Sequence, residues 1–138
     1  MTKTLPIRPT RLPLPLTAAV AALAILAIPT AALLAQGREA AFTLVETGEG
    51  FNRLQDAVSA IGEGRGTIAI APGRYAQCAV QSAGQISYLS SEPGSVVFDG
   101  VTCEGKAALV LRGRGAEVSG IVFENMRVPD YNGAGIRL

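Results

Sequence analysis

Residues 67–138 decide the fold, because they break into short apolar runs of one kind: Thr67-Ile-Ala-Ile-Ala71, Cys78-Ala-Val80, Ile86-Ser-Tyr-Leu89, Val96-Val-Phe-Asp99, Ala108-Leu-Val-Leu111, Val118-Ser-Gly-Ile-Val-Phe123 and Gly135-Ile-Arg-Leu138. Gly, Pro, Ser, Asp or Asn separates most of them, the pattern of strands punctuated by turns. Stacked, the runs form two columns. In the first, Ile68, Ile86, Leu109 and Ile136 stand in equivalent places, at spacings of 18, 23 and 27 residues. Two residues later, on the same strand face, come Ile70, Tyr88, Leu111 and Leu138, since side chains alternate with a period of two. In the second column Cys78, Val96 and Ile121 match, followed by Val80, Phe98 and Phe123.

A strand-built repeat of about 20–30 residues predicts a solenoid, in which each coil covers the apolar edge of the one before. No helical stretch separates the runs, which argues against a doubly wound α/β sheet. An antiparallel sandwich also uses short strands, but it does not require matched columns. The expected fold class is therefore all-β, a right-handed parallel β-helix with a short N-terminal capping helix. Residues 36–66 supply linker and cap, and residues 67–138 the first coils.

The segment Gly50-Phe-Asn-Arg-Leu-Gln-Asp-Ala-Val-Ser-Ala-Ile61, followed by Thr67-Ile-Ala-Ile-Ala-Pro-Gly-Arg-Tyr75, resembles the N-terminal opening of the pectin lyase-like superfamily of parallel β-helix proteins. Gly120-Ile-Val-Phe-Glu-Asn125 and Gly133-Ala-Gly-Ile136 resemble its later coils. The resemblance covers residues 42–138 and implies a carbohydrate-associated protein, related in kind to polysaccharide lyases, hydrolases and esterases. It is specific for fold, and this scaffold hosts many activities. The catalytic sets of those enzymes have no match in this chain: there is no Asp-Asp pair, no calcium-binding acidic cluster with its arginine, and no methylesterase Gln/Asp set. The chain thus reads as the N-terminal part of a longer protein, ending as a fourth coil begins, without a catalytic set of its own.

Residues 1–35 differ in kind. Lys3, Arg8 and Arg11 precede the apolar run 16–28, and no acidic residue occurs before Glu39. A basic region, an apolar core and small residues beyond Pro29 predict a signal peptide cleaved near Ala32 or Ala35. The alternative, an uncleaved anchor, is interrupted by Pro13, Pro15 and Pro29, and it is the one route to a membrane. The address is secreted or periplasmic. The run has no following Cys for a lipid and no Arg-Arg pair. Without its three leader cations the chain keeps nine basic residues against eleven acidic ones, so it lacks the basic stripe that nucleic-acid binding needs.

Leu54, Ala57, Val58 and Ile61 make one apolar helical face, with Asn52 as expected N-cap, Gln55 as its capping-box partner and Gly62 as the stop. Gly62-Glu-Gly-Arg-Gly66 leaves a helix and enters a strand, the reverse of a phosphate-binding loop, and is read as a turn. Residues 41–45 are expected to form a leading strand.

Two cysteines, Cys78 and Cys103, are paired as a disulfide in the expected reading, as an exported address permits; a buried Cys78 beside a free Cys103 is the alternative. The chain has no His, which removes His-dependent triads and most transition-metal sites, and neither a metal nor a cofactor is expected. Carboxylate and cation chemistry remains. Asp99 and Glu124 hold equivalent outward positions and are the catalytic candidates, as a pair that could split acid and base roles. Asn125 is assigned to the turn backbone. Arg112 and Arg137 are the substrate-binding candidates, since outward arginines hold uronate carboxylates in bidentate fashion. Ser87, Val110 and Arg137 are expected to point outward, with Arg112 and Arg114 flanking Gly113 on the turn that follows. The partner is expected to be polysaccharide, with the oligomeric state left open. The competing reading is a non-catalytic surface or adhesion module that binds glycan or protein.

Overall fold

A computed structural model describes residues 39–138 of the chain; the leader lies outside the described residues. In chain order the elements are β1 (Phe42–Leu44), β2 (Gly50–Phe51), α1 (Leu54–Ile61), β3 (Arg65–Ile70), β4 (Gly73–Tyr75), β5 (Ala79–Gln81), β6 (Gln85–Ser90), β7 (Val96–Asp99), β8 (Ala107–Leu111), β9 (Gly115–Ser119), β10 (Ile121–Glu124) and β11 (Ala134–Arg137). They form a five-stranded sheet β2-β1-β3-β6-β9 and two three-stranded sheets, β10-β7-β4 and β11-β8-β5. The pairs β3–β6, β6–β9, β4–β7, β7–β10, β5–β8 and β8–β11 are parallel. β1 pairs antiparallel with both β2 and β3.

This corrects the expected parallel β-helix. Among the described residues the strands lie in three small sheets, one of them mixed, and none closes into a solenoid. The mixing has a local cause. The chain turns back after β1, with Gly48 at φ 72 donating its N–H to the Leu44 carbonyl. This sets β2 antiparallel to β1, and β1 lies on the outer edge of β3.

The two expected columns also come apart. Ile68 pairs with Tyr88, while Ile86 pairs with Gly66, so the first column is out by one alternation. Leu109 and Ile136 are paired, but in a different sheet. In the second column Val96–Ile121 and Phe98–Phe123 are partners. The third row there belongs to Gly73 and Tyr75 of β4, whereas the segment after Cys78 joins β8. The single run expected over 118–123 is two strands, broken at Gly120. That residue adopts φ 70, and a Cβ there would sit 3.1 Å from both Pro93 Cα and Ser90 Cβ, so only glycine suits the corner.

The inward residues build one core in which Phe42, Tyr75, Phe98 and Phe123 run as a row, with successive ring centroids 5.1, 5.6 and 5.9 Å apart. α1 buries Leu54, Ala57 and Val58. Its capping differs from expectation: Arg53 is the N-cap and makes no side-chain cap bond. The free Leu54 N–H is satisfied from afar by Gln77 Oε1 at 2.9 Å. Gln55 turns to β5 instead, accepting from the Val80 N–H at 2.8 Å and donating to the Val80 carbonyl. One buried polar side chain, Gln81, ties three strands. Its Nε2 donates to the Gly84 and Gly115 carbonyls, and its Oε1 accepts from the Tyr88 hydroxyl. A buried amide with its donors and acceptor engaged adds order without an unpaired-group penalty.

Candidate functional site

On the β10-β7-β4 sheet, alternation sends Gly73, Tyr75, Val96, Phe98, Ile121 and Phe123 to the core side. Arg74, Val97, Asp99, Val122 and Glu124 then take the outer side. Asp99 and Glu124 are direct register partners, about 4.8 Å apart by the spacing of adjacent strands. Two bare carboxylates at that spacing repel. Arg74, on the first strand of the row, resolves this. Its Nη1 donates to Asp99 Oδ2 at 2.8 Å and to Glu124 Oε2 at 2.9 Å. Asn125 Nδ2 completes the group by donating to Asp99 Oδ1 at 2.7 Å. Asn125 is in the left-handed region, φ 56, which Asn tolerates better than most residues. That turn aims its amide back at Asp99 rather than at the turn backbone.

The electrostatics follow from these contacts. The Asn125 amide and the Arg74 guanidinium hold the Asp99 carboxyl below its ordinary range. Hydrogen bonds from Glu124 and Asp99 push the guanidinium further up. All three side chains stay partly open to solvent, at 55% for Arg74, 30% for Asp99 and 42% for Glu124. A general acid at neutral pH needs its pKa raised by burial or by an unneutralised neighbour. Asp99 is shifted the other way. What remains is an ordered row of donors and acceptors on an open sheet face.

The other sequence candidates lie elsewhere. Arg112 is bonded through both terminal nitrogens to Glu104, with Nη1–Oε1 at 3.0 Å. Lys106 Nζ approaches the same carboxylate at 3.6 Å. Arg137 donates to the Asn132 carbonyl at 2.9 Å, and Arg114 to that of Glu63 at 2.5 Å. Ser87 donates to Glu117 at 3.2 Å. Val110, expected outward, is buried, because β8 is covered along its whole length. Cys78 and Cys103 are joined by a disulfide, Cα–Cα 5.5 Å.

Arg74 is the residue that sequence reasoning missed, and the reason is specific. Pro72-Gly-Arg-Tyr75 reads as a turn, which hides a three-residue strand. The signal that could have found it is the aromatic recurrence Tyr75, Phe98, Phe123, which sets Arg74 one residue before an inward ring. Among the described residues, no group of three or more His, Cys, Asp or Glu is placed to hold a metal ion, and no helix is long and apolar enough to cross a membrane. Comparisons with protein-family models, with curated proteins and with solved structures return no match.

Proposed function

We propose that this is an exported protein that binds polysaccharide through the outer face of the β10-β7-β4 sheet, without cleaving it. The observation that carries the reading is Arg74 bridging Asp99 and Glu124 beside Asn125. Vicinal sugar hydroxyls each donate and accept. A strand-ordered row of carboxylate acceptors with guanidinium and amide donors answers that pattern, and charge-assisted bonds are the stronger kind. The row is already held in place by its own contacts, so little side-chain ordering remains to oppose binding. Asp99, kept ionised by Asn125 and Arg74, suits recognition better than proton transfer. The leader sequence and the Cys78–Cys103 disulfide both accord with an oxidising, exported setting.

The test is calorimetric titration of the mature protein with a panel of neutral and acidic polysaccharides, alongside Arg74→Ala, Glu124→Gln and, as control, Arg65→Ala on β3 of the five-stranded sheet. A saturable isotherm with at least one polysaccharide is expected. Arg74→Ala should weaken it about tenfold or more, as loss of hydrogen bonds to charged groups implies, with Arg65→Ala unchanged. Binding that ignores Arg74→Ala would remove the site, and release of reducing ends by the wild type would contradict the non-cleaving reading.

A further inference from the structure

The disulfide and the Arg74 row are connected through the chain. Cys78 lies four residues after Arg74, and Cys103 four residues after Asp99. The disulfide and the Arg74–Asp99 pair therefore span the same separation of 25 residues. The covalent bond ties together the two segments that leave β4 and β7, just downstream of the ion pair.

Besides this bond, the segment after β4 is held by Gln77, which accepts from the Leu54 N–H and donates to the Asn52 carbonyl, while the segment after β7 has fewer ties. β4 has three residues and is the edge of its sheet, paired with β7 alone. Past β7, Gly100 donates to the Glu124 carbonyl. Among the described residues no backbone hydrogen bond then holds Val101 or Thr102 before Cys103 donates to Ala107. Both cysteines are half-buried rather than sealed in the core. They line an open cleft of about 350 Å³ together with Arg53, Gln55, Ala76, Gln77 and Val101. The disulfide thus borders a solvent-facing cleft that Arg53 also lines, where a cation would favour a departing thiolate.

We propose that Cys78–Cys103 is an exchangeable disulfide, opened by a dithiol from the side of this cleft, and that its redox state governs the order of the Arg74–Asp99–Glu124 row. In the first step a thiolate of the dithiol attacks one of the two sulfurs and the intramolecular S–S bond breaks. The released cysteine leaves as a thiolate and takes up a proton. The second thiol of the reductant then loses its proton and attacks the reductant's own sulfur in the mixed disulfide, forming the reductant's disulfide and expelling the second cysteine as a thiolate that takes up a proton. Two electrons pass from the dithiol to the cysteine pair, and both cysteines end as thiols. With the tether gone, the short edge strand β4 and the segment after Asp99 open locally, so the binding surface is intact when oxidised and loosened when reduced. The functional consequence rests on the polysaccharide-binding reading; the structural one does not.

The experiment uses dithiothreitol on the folded protein, with trapping of the thiols by alkylation, and measures amide hydrogen exchange and polysaccharide binding on the same samples. Reduction without denaturant is expected. It should be accompanied by at least tenfold faster exchange over Gly73–Tyr75 and residues 99–103, with β3 and β6 still protected. Binding should fall about tenfold, and reoxidation should restore both. The Cys78→Ser/Cys103→Ser double variant should match the reduced protein. A disulfide that resists reduction until the protein unfolds would overturn the proposal. Unchanged exchange around Arg74 would do so too, as would simultaneous loss of protection in all three sheets. If exchange responds as expected but the oxidised protein binds no polysaccharide, the redox coupling stands and the polysaccharide reading falls.

Discussion

Arg74 works as it does because a single guanidinium nitrogen faces two carboxylates from neighbouring strands, at 2.8 and 2.9 Å. The row is therefore held by charge that acid can remove. Asp99 is below its ordinary value in the folded protein, chiefly through Asn125 and then through Arg74. Its folded pKa is lower than its unfolded one, so its contribution is fully present above the unfolded value of about 4 and is lost as pH falls through the folded value. Carboxyl chemical shifts followed by NMR should place the Asp99 transition below that of an unperturbed aspartate. Asn125→Ala should move the transition upward, because it removes the larger of the two causes. An Asp99 that titrates unchanged in Asn125→Ala would show that the amide does not hold it. Arg74 is already cationic throughout this range and adds no transition of its own.

At the scale of elements, the row depends on the aromatic side of the same sheet. Tyr75 and Phe98 place β4 and β7 in register from below, with ring centroids 5.6 Å apart, while their neighbours Arg74 and Asp99 meet above. Phe98 is fully buried, and truncating such a ring leaves a cavity as well as losing transfer free energy. Phe98→Ala should cost about 3–5 kcal/mol in urea unfolding. Tyr88→Phe probes the polar tie between sheets, since it strands the buried Gln81 Oε1 that the hydroxyl serves. Leaving a buried acceptor unpaired costs about 1–3 kcal/mol, so a loss in that range is expected from the same measurement, with little change in slope. A neutral Tyr88→Phe would mean that Gln81 finds another donor. Burial pushes the Tyr88 phenol well above its ordinary range, so its contribution is intact below about pH 10 and is lost only as pH rises beyond that.

For the molecule as a whole, three small sheets share one core and one covalent tie. A disulfide closing a loop of 25 residues restricts the unfolded chain, an effect of about 3.5 kcal/mol by the loop-entropy estimate. Cys78→Ser/Cys103→Ser should therefore lower global stability by about 2–4 kcal/mol in denaturant titration, while the fold, measured by far-ultraviolet circular dichroism, is kept. A variant that fails to fold would make the bond a condition of the fold. The same result would exclude it as a switch.

How much was legible follows from what side-chain alternation can encode. Most of the strands, the helix from Leu54 to Ile61 and the outward equivalence of Asp99 and Glu124 could be read from spacing along the chain, whereas β4, the break at Gly120 and the burial of Val110 could not. A run such as Val96-Val-Phe-Asp99 states its own in-and-out order. It does not name its neighbour. Ile68 was set against Ile86 rather than Tyr88 because a shift of two residues keeps every side chain on the same face, and alternation is blind to it. The count of sheets, the antiparallel β1–β2 edge, the recruitment of Arg74 by two acids 25 and 50 residues away and the capping of α1 by Gln77 were decided only in three dimensions. Each depends on which strand lies beside which, and that is settled by packing across the core rather than by any local run of residues.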